Sequence, residues 1–82
     1  MIKNEQERAR IGQRIAELRK QTEWTDGAGI MRHGMTQAEL AARVGTLSQS
    51  HIARIEAGRY SVGFDHLQAI AEALGGSVDI VV

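Results

Sequence analysis

The chain has no cysteine, no long apolar run and no net charge, and the first two absences each remove a class of function. Without thiols it can build neither disulfides nor thiolate metal sites, which suits a reducing cytoplasm. No stretch is apolar enough to span a bilayer and none reads as a signal peptide, so a cytoplasmic protein with no membrane partner is expected. Its three histidines, at 33, 51 and 66, have no second histidine or carboxylate at ligand spacing, so no metal site is expected. No glycine-rich phosphate loop precedes a lysine. Ser48, Ser50, His51 and Asp65 include the residue types of a hydrolase triad, but no strand-turn-helix elbow surrounds either serine. Neither an enzyme nor a cofactor is expected.

What is present suits one small soluble domain spanning residues 1–82, with 43% hydrophobic and 24% charged residues. Ten basic residues balance ten acidic ones, yet they are unevenly placed. Residues 1–22 carry Lys3, Arg8, Arg10, Arg14, Arg19 and Lys20 against three glutamates, whereas Asp65, Glu72 and Asp79 make the C-terminal third acidic. A basic side on a neutral molecule can still meet a polyanion, with modest affinity that falls with salt.

The densest signal runs from Met35 to Gly58, MTQAELAARVGTLSQSHIARIEAG. Leu40, Ala41 and Val44 form a narrow apolar stripe, and Thr36 followed three residues later by Glu39 has capping-box spacing. A helix of about two turns starts there and ends at Gly45, which can take the left-handed conformation. Ser48 is a fit N-cap for a second helix reaching about Ala57, with Ile52 and Ile55 turned inward. Gln49, Ser50, His51 and Arg54 then lie on or beside the outer face. These groups suit base edges and phosphates: Gln pairs with adenine and Arg with guanine through two hydrogen bonds each.

On Thr36, Gln37, Leu40, Ala41, Gly45, Ile52, Ile55, Glu56 and Gly58, continued by Leu67, Ile70, Ala71, Leu74 and Gly75, the segment resembles the helix-turn-helix of the lambdoid phage repressors and the wider XRE group. The resemblance covers about half the chain, with the helix-turn-helix core at 36–58. It implies a sequence-specific regulator, a repressor of its own or a neighbouring operon, bound to double-stranded DNA as a homodimer on a palindromic operator. By position it makes Gln49, Ser50 and Arg54 base readers. Gln37, Ser48 and His51 become phosphate contacts, and Arg43 and Arg59 basic flanks of the contacted backbone. Glu56 would pair with Arg19 as a structural ion pair. A second reading implied by the resemblance is the antitoxin of a toxin–antitoxin pair, binding a toxin protein and autoregulating its operon. One departure lies inside the motif, where Gly45 to Glu56 holds one residue more than the usual spacing. Thr46 is the simplest insertion, and it either bulges the turn or rotates the second helix.

The remaining segments complete an all-α, four-helix domain. Asn4 to about Gln21 reads as a helix with Ile11, Ile15 and Leu18 inward, and Asn4 with Glu7 resembles a cap. Arg8 and Arg10 read as a solvated face that can also reach phosphate. TEWTDGAGIMRHG, from Thr22 to Gly34, carries an Asp26-Gly27 turn signal and predicts a small hairpin between helices 1 and 2, with arms Thr22 to Thr25 and Ile30 to His33. Trp24 serves there either as a core plug or as a contact, and Arg32 and His33 form a wing if the loop lies beside the duplex. Phe64 to Leu74 has helical spacing, with Phe64, Leu67, Ile70, Ala71 and Leu74 expected in the core. SVDIVV, from Ser77 to Val82, is β-branched and predicts a short C-terminal strand, partnered by the hairpin or by a second copy across a two-fold axis.

Overall fold

The computed structural model describes residues 4–82, so Lys3 of the basic N-terminal stretch lies outside the described residues. The first helix, α1 (Glu5–Gln21), starts where the Asn4 side chain accepts the Glu7 amide at 3.1 Å. Ile11 and Ile15 are buried along one face, as their spacing predicts. Between them Gly12 meets α3 (Gln49–Glu56) backbone to backbone. A methyl built on Gly12 would collide with the Ile55 carbonyl and lie 2.8 Å from that of Glu56, so only glycine allows these helices to approach so closely.

After α1 comes the expected hairpin, with β1 (Glu23–Thr25) antiparallel to β2 (Met31–His33) and Glu23, Trp24 and Thr25 opposite His33, Arg32 and Met31. Asp26 organises its tip. One carboxylate oxygen accepts the amides of Ala28 and Ile30 at 2.9 and 3.0 Å, and its carbonyl accepts that of Gly29. Trp24 fills the inner face, half-buried against the core, and its indole N–H donates to the Gly34 carbonyl at 2.8 Å. Ile30 and Met31 are exposed.

α2 (Gln37–Val44) opens with the full capping box that Thr36 and Glu39 predict, at 3.0 and 2.8 Å, and closes on Gly45 at φ 83°. Helix α3 packs on both α1 and α2, and α4 (Phe64–Ala73) packs on α2. Ile15, Leu40, Ile52 and Ile70 lie fully buried at the centre. Met35, Leu47 and Val62 join them from loops, burial that no helical period announces.

Two expectations are corrected. Phe64 shares the period of α4's core face, yet it stands in the first turn and is 60% exposed, beyond the edge of the core. Ser77 to Val82 forms no strand: Val78–Ile80 is a 3-10 turn, and the two strands of the hairpin are the only ones among the described residues. β-Branched composition favours a half-buried pleated surface, not a particular backbone. Here a one-turn coil places Val78 and Val81 three residues apart against the core, Val81 at 1% exposure. The turn satisfies its own amides, Val81 donating to Val78, and Arg14 Nε donates to the Ile80 carbonyl at 3.1 Å. No helix among the described residues is long and apolar enough to cross a membrane.

Candidate nucleic-acid interface

Helix α3 is held from within by Ile52 and Ile55, buried at 0% and 2% exposure, which turns Gln49, Ser50 and Arg54 outward; all three are exposed. Its start is closed by a reciprocal cap. The Ser48 hydroxyl oxygen accepts the His51 amide at 3.3 Å, and His51 Nδ1 lies 2.9 Å from that oxygen. Ser48 and His51, the two residues to which the family resemblance gives phosphate contacts, are thereby tied to each other.

The first turns of the helices differ in charge. Those of α1 and α2 hold Glu5 and Glu7, and Glu39, whereas the first turn of α3 has no acidic residue. A helix N-terminus carries partial positive charge, so an anion approaching α3 meets that dipole without a carboxylate in the way.

The extra residue is taken up before the helix begins. Gly45 turns the chain with its left-handed backbone, Leu47 plugs into the core at 8% exposure, and Ser48 starts α3. With Leu47 anchored, the helix keeps Ile52 and Ile55 inward.

Beneath this face, Arg19 and Glu56 form a two-pronged pair at 2.7 and 2.9 Å, with side chains only 10% and 7% exposed. Arg19 also donates to the Met35 carbonyl at 2.7 Å, and Gln37 Nε2 donates to Glu56 at 3.0 Å. One carboxylate thus ties α1, the start of α2 and the end of α3. Its hydrogen bond pushes the Arg19 pKa further up, so the pair stays charged on the arginine side. Gln37 stands at the helix start as expected, but its amide is committed to this junction.

The other basic candidates separate. Arg59 is exposed in the loop directly after α3, its amide bonded to the Arg54 carbonyl at 2.9 Å. Arg43 is not brought to this cluster: its Nε donates to the Ala73 carbonyl at the end of α4 at 3.2 Å, and its guanidinium lies 6.0 Å from the Trp24 ring centre. Arg32 is held at the hairpin by Asp26 and Glu39, over the same tryptophan, and His33 faces Glu23 at 3.8 Å. Arg8 Nε donates to the Gly58 carbonyl at 3.3 Å, and Arg10 is paired with Glu7 at 2.6 Å.

Tyr60 belongs to the loop from Arg59 to Gly63, which the family resemblance sets against a phosphate, and nothing in the sequence gives it a contact of its own. It lies in the loop after α3, yet its ring meets the His51 ring edge to face, with centroids 5.7 Å apart at 72°. An aromatic residue in a loop gives no local sign of which helix end it will touch. Among the described residues no group of three or more His, Cys, Asp or Glu side chains could hold a metal ion.

Comparison with known proteins agrees with this architecture. A family model described as helix-turn-helix matches residues 30–81. The immunity repressor protein of Bacillus phage phi105 is 36% identical over 72 residues, covering 88% of this chain and 42% of the repressor, so the chain spans about two-fifths of that relative's length. The crystal structure of the restriction-modification controller protein C.AhdI from Aeromonas hydrophila matches with a TM-score of 0.74 at 26% identity, over 95% of this chain and 96% of the other.

Proposed function

The chain belongs to the helix-turn-helix family of DNA-binding transcription regulators, and from that premise we propose that it represses transcription by occupying a palindromic operator as a homodimer. The observation that carries the reading is the outer face of α3, where Gln49, Ser50 and Arg54 are exposed over a buried Ile52 and Ile55. In the major groove, Gln49 would bond an adenine and Arg54 a guanine, with Ser50 beside them. Ser48, His51 and Arg59 would meet phosphates. Gln37 and Arg43 contribute to that backbone contact only if they leave Glu56 and Ala73, so the phosphate role rests mainly on the other three. Similarity to an immunity repressor supports the direction of control, and similarity to a restriction-modification controller protein over 96% of its length supports a regulatory role.

Support for the dimer comes from apolar surface. Exposed Phe64 and Val82 flank a cleft floored by Ile11, Val62 and Leu67, and its rim carries Glu7 and Arg10. A second copy related by a two-fold axis would cover this surface and set each rim charge against its opposite. No observation favours the antitoxin reading, and the C-terminal segment is a 3-10 turn where a strand was expected.

The test is a fluorescence anisotropy titration against a duplex from upstream of the protein's own gene, at two salt concentrations, beside a Gln49→Ala, Arg54→Ala double variant. Specific binding that weakens with salt, and a variant that folds normally but binds that duplex no better than a scrambled one, are expected. Undiminished discrimination by the variant would refute the assignment of α3's outer face, and no specific binding by the wild-type chain would refute the regulator itself.

A further inference from the structure

A capping box ordinarily places Glu or Gln three residues into the helix, as Glu39 does in α2. In α3 that position is His51, and the substitution changes what the cap can do. Nδ1 lies 2.9 Å from the Ser48 hydroxyl and 3.5 Å from the Ser48 amide. An amide can only donate, so when the second half of the cap forms Nδ1 accepts from it, and the neutral ring then carries its proton on Nε2. The cap uses only Nδ1, so the Nε2–H is left to donate to a phosphate oxygen or a base acceptor. A carboxylate here would close the helix equally well and repel the duplex. Histidine closes the helix and adds a donor.

This arrangement works in one ring orientation only. If the imidazole rotates out of the box, the cap loses its second half and Nε2 is no longer aimed. The contact that opposes rotation comes from Tyr60, whose ring meets His51 edge to face at 5.7 Å and 72°. Tyr60 reaches the first turn of α3 although it follows the last. Gly58 makes this return possible with a left-handed φ of 74°, in a corner where a methyl would lie 2.9 Å from the Ala9 Cα. The half-buried tyrosine is packed against the core on one side and against the imidazole on another.

We propose that Tyr60 is a positioning residue for DNA binding, acting through His51: its ring holds the imidazole in the Ser48 cap and so fixes the Nε2–H donor that α3 presents to the duplex. The inference rests on the regulator reading above and adds a residue that touches no nucleotide. Charged groups on the segments that carry these two rings include Arg54, further along α3, Arg59, beside Tyr60, and Arg8, whose Nε donates to the Gly58 carbonyl at 3.3 Å, all cationic. Glu56 is occupied by Arg19 and Gln37 at the far end of the helix.

The test is a double-mutant cycle on binding to the same upstream duplex, with Tyr60→Leu, His51→Ala and their combination, and Tyr60→Phe as the conservative variant. Leucine keeps apolar bulk against the core and removes the ring. Tyr60→Leu should weaken specific binding about three- to ten-fold, the span an aromatic edge contact is worth. The combined variant should bind no worse than His51→Ala alone, because a tyrosine acting through His51 has nothing left to hold. Tyr60→Phe should bind within about two-fold of wild type. A merely structural tyrosine would not give this pattern, and effects that multiply in the combined variant, or a Tyr60→Leu variant that binds as wild type does, would overturn the proposal while leaving the regulator reading intact. Nitrogen-15 spectra of the histidine rings supply a readout that needs no DNA. A single Nε2–H form for His51 is expected in the wild-type chain, giving way to mixed forms in Tyr60→Leu, and mixed forms in the wild type itself would overturn the proposal without any variant.

Discussion

Glu56→Ala should cost the domain a large part of its stability. The substitution leaves the Arg19 guanidinium, on a side chain only 10% exposed, with a single carbonyl partner at Met35, and it releases the Gln37 amide. Removing one member of a buried pair costs about 3–5 kcal/mol, because the other charge remains buried and uncompensated. A domain of 82 residues has in total about 4–12 kcal/mol to lose. The melting temperature, followed by circular dichroism at 222 nm, should therefore fall by at least about 12 °C. The informative control is Arg19→Met with Glu56→Leu, which removes both charges and keeps apolar volume; it should recover most of the loss. If Glu56→Ala lies within about 1 kcal/mol of wild type, the pair is not the strut that its geometry describes. If the paired replacement is as unstable as the single one, the loss comes from packing and not from a stranded charge.

Other outcomes follow from the same contacts. Gly12→Ala drives a methyl into the Ile55 and Glu56 carbonyls, and the urea midpoint should fall by an amount equivalent to about 1–3 kcal/mol or more, while Gly27→Ala, which meets nothing within 4 Å, should change it little. Amide hydrogen bonds hold two carboxyls below their ordinary pKa, Asp26 through Ile30 and Ala28 and Glu39 through Thr36. Since the folded pKa is the lower one, their stabilisation is complete above the unfolded value of about 4 and is lost as pH falls through the folded value. Urea midpoints should therefore drop as pH falls below about 4, and an Asp26→Asn, Glu39→Gln variant should show a shallower drop; an equally steep one would assign the acid sensitivity to other groups. Phe64→Asp should shift sedimentation toward the monomer and weaken operator binding without lowering the melting temperature, because Phe64 is 60% exposed within the protomer. A variant that sediments as wild type would remove Phe64 from the dimer contact.

Much of this protein is legible because its signals are local. The caps at Asn4, Thr36 and Ser48, the left-handed Gly45 and the apolar spacing of α1, α2 and α3 each involve residues within about one turn of one another, so the sequence carries their whole cause. The hairpin follows likewise from Asp26-Gly27, with its arms one residue shorter on each side than the composition suggested. The outward set Gln49, Ser50 and Arg54 is then a consequence of Ile52 and Ile55, and the family resemblance pairs Arg19 with Glu56, which lie 2.7 Å apart in the fold.

What the sequence could not carry are decisions made between distant segments. Phe64 and Leu67 share one helical period, yet only Leu67 faces a neighbour, because the core ends before the first turn of α4. SVDIVV has strand composition, but it pairs with neither edge of the hairpin and instead coils, with Val81 buried in the core. Gln37 and Arg43 have the chemistry of phosphate ligands, and packing gives their donors to Glu56 and Ala73 instead. Tyr60 acquires its place only when Gly58 folds the loop back along α3. The sequence by itself determined where helices begin, where they end and which face turns inward, since those are short-range matters of hydrogen bonding and period. Tertiary structure alone decided which polar groups remain available to DNA, because a side chain's availability depends on neighbours that the chain meets dozens of residues away.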